Sequence, residues 1–263
     1  MNQISMIKYN SWIVSFHPVI TPRLRIFCFP YAGGNALAYK EWGDYFPEDI
    51  EVCCIQLPGR GNRFSEQPIS SIPLIMDGLS KDFLEFSGDV PFVFFGHSMG
   101  ALLTFEFTQY LKKHYQMEPE ALFVSAHRAP YLPRKDNSIY YNLPDAELML
   151  RLKELNGTPD WFFEEPELVK LSLPTIKADL ELCECYFYQE HPILNIPIHA
   201  FGGTRDPEIS EDSIKAWERH TMSDFQMKLL PGDHFFIHSS EELLVPEIYK
   251  AMRKIILSSV KQS

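Results

Sequence analysis

The segment Pro91–Lys113 constrains the fold more than any other part of the sequence. A wholly apolar run, Phe92–Phe95, leads directly into Gly96-His97-Ser98-Met99-Gly100, and a stretch with helical spacing, Ala101–Lys113, follows. Apolar residues at consecutive positions are typical of a strand buried on both faces of a parallel sheet. The segment therefore predicts a strand, a sharp glycine-flanked turn and a helix that packs back onto the sheet.

The same alternation of strand and helix recurs along the chain. The predicted strands are Leu24–Phe29, Glu51–Ile55, Phe92–Phe95, Ala121–Ser125, Ile198–Phe201 and Phe225–Leu230. The intervening stretches, including Ala101–Lys113 and Asp212–Arg219, are long enough for crossover helices. The fold class is therefore α/β, with a mostly parallel central sheet flanked by helices. A length of 263 residues, of which 45% are hydrophobic, suits a single domain over residues 1–263.

Residues 130–189 interrupt the alternation with helical patterns only. Pro144 can begin a helix that has Asp145 and Glu147 in its first turn, where acidic side chains are favourable. The pattern consists of Leu148, Leu152 and Leu155, a stop at Asn156-Gly157 and Thr158-Pro159, then Leu168, Leu171, a break near Pro174, Ile176, Leu180, Cys183 and Phe187. We interpret this segment as a helical lid insertion above the carboxyl ends of the strands. Spacing alone equally allows helices that only thicken the core.

Ser98 is the candidate nucleophile. The pattern G-x-S-x-G at a strand-to-helix corner is the nucleophile elbow of α/β-hydrolases. There the serine takes a strained backbone conformation that projects its hydroxyl, and Gly96 and Gly100 leave room for the neighbouring strand and helix. The helix N-terminus places the Met99 N–H as a donor for an oxyanion. The alternative is an ordinary tight turn, which the position after an apolar strand disfavours.

A second oxyanion donor is expected from the loop after an early strand. Phe29-Pro30-Tyr31-Ala32-Gly33-Gly34-Asn35 follows the predicted strand Leu24–Phe29, and its paired glycines would let the main chain approach a ligand closely. We assign the donor to the Ala32 N–H. Taken by itself, Gly33-Gly34 is also compatible with a flexible turn.

His234 is the candidate general base among nine histidines. It follows the last predicted strand through the turn Pro231-Gly232-Asp233, and an α/β-hydrolase delivers its base from such a loop, last in chain order. His97 is a poor base for Ser98 because neighbouring side chains diverge at a sharp turn. His199 lies within a predicted strand.

Asp206 is the candidate acid that orients the base. It follows the predicted strand Ile198–Phe201, and a carboxylate there could accept the imidazole N–H and stabilise the imidazolium. Taken alone, it is equally typical of a turn residue before proline. Asp233 is too close to His234 in sequence, and Asp179 lies in the insertion.

Composition argues against several other classes. The formal net charge is −11 and the pI is near 5.3, so a nucleic acid would be repelled overall and no such partner is expected. The apolar residues around Ile13 and Val14 are interrupted by polar ones, and no stretch approaches the length of a membrane span, so neither a signal peptide nor membrane insertion is expected.

The five cysteines are Cys28, Cys53, Cys54, Cys183 and Cys185. Their number is odd and most lie in apolar stretches, a pattern typical of reduced, buried thiols. Neither a disulfide framework nor a Cys/His metal site is predicted, and a cytoplasmic location is expected.

The sequence resembles the type II thioesterases that accompany non-ribosomal peptide and polyketide synthases, from about Arg25 to Met252. The stretches that carry the resemblance are FPYAGG (29–34), QLPGRGNR (56–63), FGHSMGA (95–101), LPDAELMLRLKELNGTP (143–159), LPTIKADLELCE (173–184), FGGTRDP (201–207), AWERHT (216–221) and PGDHFF (231–236). Residues before Arg25 fall outside the match. Pro58-Gly59-Arg60-Gly61 lies within it, and we interpret that segment as a structural turn.

The resemblance implies removal of acyl groups from the 4′-phosphopantetheine arm of acyl or peptidyl carrier domains, and it places a triad on Ser98, Asp206 and His234. It implies no metal or organic cofactor, because pantetheine belongs to the substrate. The alternatives are a medium-chain fatty acyl-carrier thioesterase, an esterase or lipase acting on oxygen esters, and a non-catalytic carrier-binding subunit. Arg128, Arg134 and Lys135 are candidates for carrier docking, although such charges are more often a solvated face.

Overall fold

A single mixed sheet organises the protein. The computed structural model describes residues 7–8, 10–135, 138–154 and 160–259. The strands of these residues are β1 Ile7–Lys8, β2 Ile13–Ser15, β3 Leu24–Phe29, β4 Ile50–Ile55, β5 Phe92–His97, β6 Leu122–Ser125, β7 Ile198–Gly203 and β8 Phe225–Leu230. They form one sheet in the order β1-β2-β4-β3-β5-β6-β7-β8. The six strands from β3 to β8 run parallel, while β1 and β2 pair antiparallel at one edge.

Helices cover both faces of this sheet. They are α1 Ile72–Ser87, α2 Met99–Tyr115, α3 Asp145–Glu154, α4 Asp160–Phe163, α5 Pro166–Glu184, α6 Glu211–Lys215, α7 Phe236–Ser239 and α8 Glu241–Ser259. Two apolar cores result. One lies under α1 and α2 and the other under α8. All six residues of β4 are buried, as are all six of β5, which explains why Val52–Ile55 and Phe92–Phe95 are apolar at consecutive positions.

The six strands predicted from sequence are confirmed, with small differences at their ends. β5 extends two residues further, to His97, and β7 extends to Gly203. Both extensions occur at the carboxyl ends of the strands, where the chain leads to Ser98 and Asp206.

The edge strands β1 and β2 were not predicted. The Asn10 Oδ1 accepts hydrogen bonds from the Trp12 and Ile13 N–H groups at 2.9 and 2.8 Å, which bends the chain into β2. Ile13 then pairs with Ile55 of β4. The segment before Arg25 therefore extends the sheet through contacts distant in sequence.

Between β6 and β7 the described residues form α3, α4 and α5, as the helical patterns predict. Leu148 and Leu152 pack in a small apolar cluster, and Leu155 and the stop at 156–159 lie outside the described residues. The predicted break near Pro174 is wrong, because α5 continues through it. A proline inside a helix costs about 3 kcal/mol, and burial of Leu173, Ile176 and Leu182 on α5 offsets that cost.

No helix within the described ranges combines the length and apolar character needed to cross a membrane.

Candidate active site

Ser98 lies at the corner between β5 and α2 in a strained conformation. Its φ of 53° and ψ of −119° are unusual for a residue with a side chain. Its N–H donates to the Ser125 carbonyl at the end of β6, at 2.8 Å. A Cβ on Gly96 would meet the Gly100 carbonyl oxygen at 2.1 Å, and one on Gly100 would meet the Phe29 carbonyl oxygen at 2.2 Å. Both flanking positions therefore require glycine.

Three side chains distant in sequence form a hydrogen-bonded series at the carboxyl ends of the strands. The His234 Nδ1 lies 2.8 Å from the Asp206 Oδ2, and the His234 Nε2 lies 3.0 Å from the Ser98 Oγ. An ionised carboxylate can only accept, so Nδ1 carries the proton and Nε2 is left to accept from the Ser98 hydroxyl. This arrangement can remove a proton from the serine as it attacks an acyl carbon.

Asp206 is held by its own turn. Its Oδ1 accepts hydrogen bonds from the Glu208 and Ile209 N–H groups at 2.8 and 3.1 Å, while its Oδ2 faces His234. The side chain is fully buried. The two interpretations of Asp206 from sequence, a turn residue and a partner of the histidine, therefore describe the same geometry.

His97 is buried and contacts the main chain of His234, away from the Ser98 hydroxyl. Its Nε2 lies 2.9 Å from the His234 carbonyl oxygen, and its Nδ1 lies 2.9 Å from the Ser125 Oγ. Burial lowers the pKa of His97 well below its ordinary value, and the neighbouring His234 adds to that effect. His97 is therefore neutral, with its single N–H on Nε2.

The loop after β3 forms a tight turn beside the elbow. The Gly34 N–H donates to the Tyr31 carbonyl at 2.8 Å, and Gly33 has a φ of +74°. Ala32, the predicted oxyanion donor, occupies the second position of this turn. Met99, the other predicted donor, is the first residue of α2. Because Gly100 packs against the Phe29 carbonyl, the two donor segments are neighbours.

Sequence reasoning missed several contacts around these loops. The Tyr31 hydroxyl and the His238 Nε2 share a hydrogen bond at 2.9 Å, which joins the loop after β3 to the short helix after His234. Asp179, on α5, binds both Arg60 and the Gly33 N–H. Tyr31, Arg60 and Asp179 all lie in the matched stretches, yet nothing in their spacing indicates that they meet.

Within the part of the chain that the structure describes, no three His, Cys, Asp or Glu side chains come together as a metal site. The five cysteines are free, with Cys28, Cys53 and Cys54 buried. Burial raises the pKa of the Cys28, Cys53 and Cys54 thiols, so these side chains are neutral parts of the core.

Comparison with known proteins identifies the family. The model of the thioesterase domain family matches residues 24–256. The chain belongs to the thioesterase domain family. This thioesterase is 37% identical to the gramicidin S biosynthesis protein GrsT of Aneurinibacillus migulanus, over 96% of this chain and 98% of that protein. It is 39% identical to a protein of Brevibacillus parabrevis named linear gramicidin dehydrogenase LgrE, over 97% of each chain.

A solved structure gives the same result for the fold. The type II thioesterase BorB from the borrelidin biosynthetic cluster superposes with a TM-score of 0.84 at 32% identity, covering 92% of this chain and 97% of BorB. The α/β-hydrolase fold and the relation to type II thioesterases of peptide and polyketide pathways, both expected from sequence, are confirmed.

Proposed function

We propose that this thioesterase hydrolyses acyl groups from the 4′-phosphopantetheine arms of acyl or peptidyl carrier domains, clearing wrong or stalled units from a peptide or polyketide synthase. The observation that carries the proposal is the hydrogen-bonded series Ser98–His234–Asp206 at the nucleophile elbow. The family membership and the similarity to BorB support the thioester as the bond that is cleaved.

The reaction runs in two stages. The His234 Nε2 takes the Ser98 proton as the Oγ attacks the thioester carbonyl, and Asp206 stabilises the imidazolium. The Met99 and Ala32 N–H groups donate to the oxyanion, where the loss of one donor costs about 100- to 1,000-fold in rate. His234 then protonates the departing pantetheine thiolate. Water gives a proton to His234 as it attacks the acyl-serine, and His234 returns that proton to the Ser98 Oγ as the acid leaves.

Residues 130–189 act as a lid in a single-domain enzyme. The support is that α5 packs directly against the site: the Asp179 Oδ2 accepts from the Gly33 N–H at 2.7 Å, and a Cβ on Gly33 would lie 3.3 Å from Ile176. α3 connects to the other side of the site, where the Arg151 Nη2 lies 3.1 Å from Glu208, two residues after Asp206. The insertion therefore borders both the expected oxyanion loop and the acid loop.

The test uses carrier proteins loaded with acetyl, aminoacyl or long acyl groups, exposed to the enzyme and weighed by mass spectrometry. We expect loss of the acyl mass with retention of the pantetheine arm, and no loss with Ser98→Ala. A strong preference for a matched oxygen ester would contradict the proposal. Activity confined to medium-chain fatty acyl carriers would point instead to a fatty acid synthase partner.

Two alternatives make different predictions in the same assay. The name of LgrE suggests a dehydrogenase, but hydride transfer has no need of a serine hydrogen-bonded to a histidine–aspartate pair. Oxidation of a reduced nicotinamide, with the acyl group released as an aldehyde, would favour that activity. A non-catalytic carrier-binding subunit would bind loaded carriers and release nothing.

A further inference from the structure

A buried ion pair joins the insertion to the core beside the catalytic series. Arg60, in the loop after β4, donates from Nη1 to the Asp179 Oδ2 at 2.6 Å and from Nη2 to Oδ1 at 2.7 Å. The exposed fractions of the two side chains are 5% and 1%. The desolvation of a buried pair can exceed its Coulombic gain, and apolar replacements are often as stable. Stability alone is therefore a weak explanation for this pair.

The pair also holds the loop that carries Ala32. The Asp179 Oδ2 accepts a second hydrogen bond, from the Gly33 N–H at 2.7 Å. The Arg60 Nη1 donates to the Gly34 carbonyl at 3.2 Å. One carboxylate and one guanidinium therefore bind two consecutive residues directly after the expected oxyanion donor.

The hydrogen bond to the Asp179 carboxylate favours one of two possible conformations of the turn Tyr31–Gly34. A Gly34-to-Tyr31 hydrogen bond, with a positive φ at Gly33 and none at Ala32, defines a type II turn. A type I turn has the same ends, but its central peptide is turned over. That change would direct the Ala32 carbonyl, in place of the Gly33 N–H, towards the Asp179 carboxylate. Two acceptors would then face each other, so Asp179 favours the type II form. The Ala32 N–H belongs to the preceding peptide, which both turn types share, so the ion pair acts on that donor by holding the turn as a whole.

Two more contacts fix α5 against the same loops. The Thr175 hydroxyl donates to the Gly59 carbonyl at 2.7 Å. Ile176 lies close enough to Gly33 that an added Cβ would stand 3.3 Å from it. Thr175, Ile176 and Asp179 lie on one face of the helix because residues three and four apart are neighbours.

From this geometry we propose that Asp179 and Arg60 are positioning residues, which hold the turn Tyr31–Gly34 so that the Ala32 N–H faces the oxyanion. The proposal rests on the proposed function, in which that N–H is a donor. Neither residue touches the substrate. Their effect is on the transition state, because a displaced donor weakens binding of the oxyanion much more than binding of the uncharged thioester.

The test compares Asp179→Asn and Arg60→Lys with the wild type on an acyl thioester of N-acetylcysteamine, which needs no carrier docking. Asp179→Asn keeps the shape but replaces one of two acceptor oxygens with an NH₂, which faces a donor of Arg60 whichever way the amide is turned. Arg60→Lys keeps the charge but loses the two parallel hydrogen bonds of the guanidinium. It replaces Asp179→Asn in the test if that variant does not fold. A second readout is inhibition by a trifluoromethyl ketone, whose adduct with Ser98 carries an oxyanion.

The matched control is Glu51→Gln. Glu51 forms a second buried pair with Arg25 at 2.8 Å and is 1% exposed, but it lies near the start of β4, at the opposite end of the sheet from Ser98. Because this pair does not contact the oxyanion loop, Glu51→Gln measures how breaking a buried pair changes the melting temperature alone.

We expect kcat of Asp179→Asn to fall by about 10- to 100-fold, with the ketone's Ki rising in proportion and KM changing by less than about threefold. Arg60→Lys should show a smaller change of the same kind. Glu51→Gln should lower the melting temperature and leave kcat and Ki within about twofold. Folded Asp179→Asn with wild-type kcat and Ki would overturn the inference. Failure of the proposed function is distinguishable, since the wild type would then not cleave the thioester or Ser98→Ala would still cleave it.

Discussion

The imidazole of His97 donates from Nε2 to the main-chain carbonyl of His234 at 2.9 Å. The residue that precedes the nucleophile in the chain therefore holds the backbone of the general base. His97 is itself fixed by Ser125 at the end of β6. This contact orders the histidine loop relative to the elbow without competing for the Ser98 proton.

Replacing His97 with Leu should make the position of the general base His234 less well defined. The variant leaves the His234 carbonyl and the Ser125 hydroxyl without their partner, which costs about 1–3 kcal/mol for each buried polar group left unsatisfied. We expect lower stability in urea unfolding and a fall in kcat of at least about tenfold, because His234 is no longer held at 3.0 Å from Ser98. Unchanged kcat in a folded, destabilised variant would show that this contact serves stability alone.

Asp206→Asn should abolish most activity with little effect on folding. The amide oxygen can still accept from the Glu208 and Ile209 N–H groups, while the NH₂ faces His234 and favours the tautomer with its proton on Nε2. Such a change lowers kcat by about 10⁴-fold in a Ser-His-Asp triad. Steady-state kinetics and thermal melting measure the two effects.

Asp233→Asn is the matched control for this variant. Asp233 accepts from the Phe235 N–H at 2.9 Å, a contact that asparagine preserves. Kcat should stay within about threefold of wild type. A large loss there, with activity retained in Asp206→Asn, would reverse the assignment of the acid.

The free energy of unfolding should decrease as the pH is lowered, because several histidines are buried in their neutral form. Burial, with a contribution from Arg219, lowers the pKa of His220 to about 4, and burial lowers that of His199 to about 4. The unfolded chain takes up these protons near pH 6.5, whereas the folded chain takes them up only near pH 4. Stability is therefore full above about pH 6.5 and decreases as the pH falls towards 4, by up to about 1.4 kcal/mol per pH unit for each group.

His220→Phe tests this directly. His220 packs between the rings of Phe105 and Trp217, and within the described residues its buried Nε2 has no hydrogen-bond partner. A phenyl ring keeps the packing and removes one titrating group, so urea unfolding between pH 6.5 and 4.5 should give a shallower slope than in the wild type. His114→Gln, at an exposed position, is the control. An unchanged slope in His220→Phe would contradict the assignment.

The two long helices of the insertion should differ in mobility. α5 is tied to the core by the buried pair Arg60–Asp179. α3 reaches the acid loop through Arg151 and Glu208, whose exposed fractions are 24% and 34%, and such partly exposed pairs contribute little. Amide hydrogen exchange should be faster in α3 than in the second half of α5. Equal protection of both helices would contradict the expected difference in mobility.

Sequence patterns predicted the parts of the fold that depend on local character. Strands buried on both faces are largely apolar at consecutive positions, and β5 is the clearest case. β8 differs, because its apolar residues alternate with Gln226 and Lys228 and its burial alternates with them. β1 and β2 were missed because they are short and depend on contacts distant in sequence: β2 pairs with β4, and β1 pairs with β2. The error at Pro174 arose because a local rule for proline was applied where the packing of α5 offsets its cost.

In the candidate site, too, local sequence patterns predicted some features and contacts between distant residues determined the others. Ser98, Asp206 and His234 could be predicted from sequence because each follows the carboxyl end of a strand. In a parallel sheet these ends lie at the same edge. The link between Arg60 and Asp179 spans 119 positions and depends on how α5 lies across two loops. Helical spacing indicates which residues share a face but does not indicate what that face contacts, so Arg60 was interpreted as part of a turn only.

The central claim is that Ser98 carries the acyl group during hydrolysis. The most direct measurement is peptide mass mapping of the enzyme quenched during turnover of an acyl-loaded carrier. We predict that the mass of the acyl group appears on the peptide containing Ser98 and is absent from Ser98→Ala, which does not release the acid. An acyl group on another residue, or continued hydrolysis by Ser98→Ala, would contradict the account.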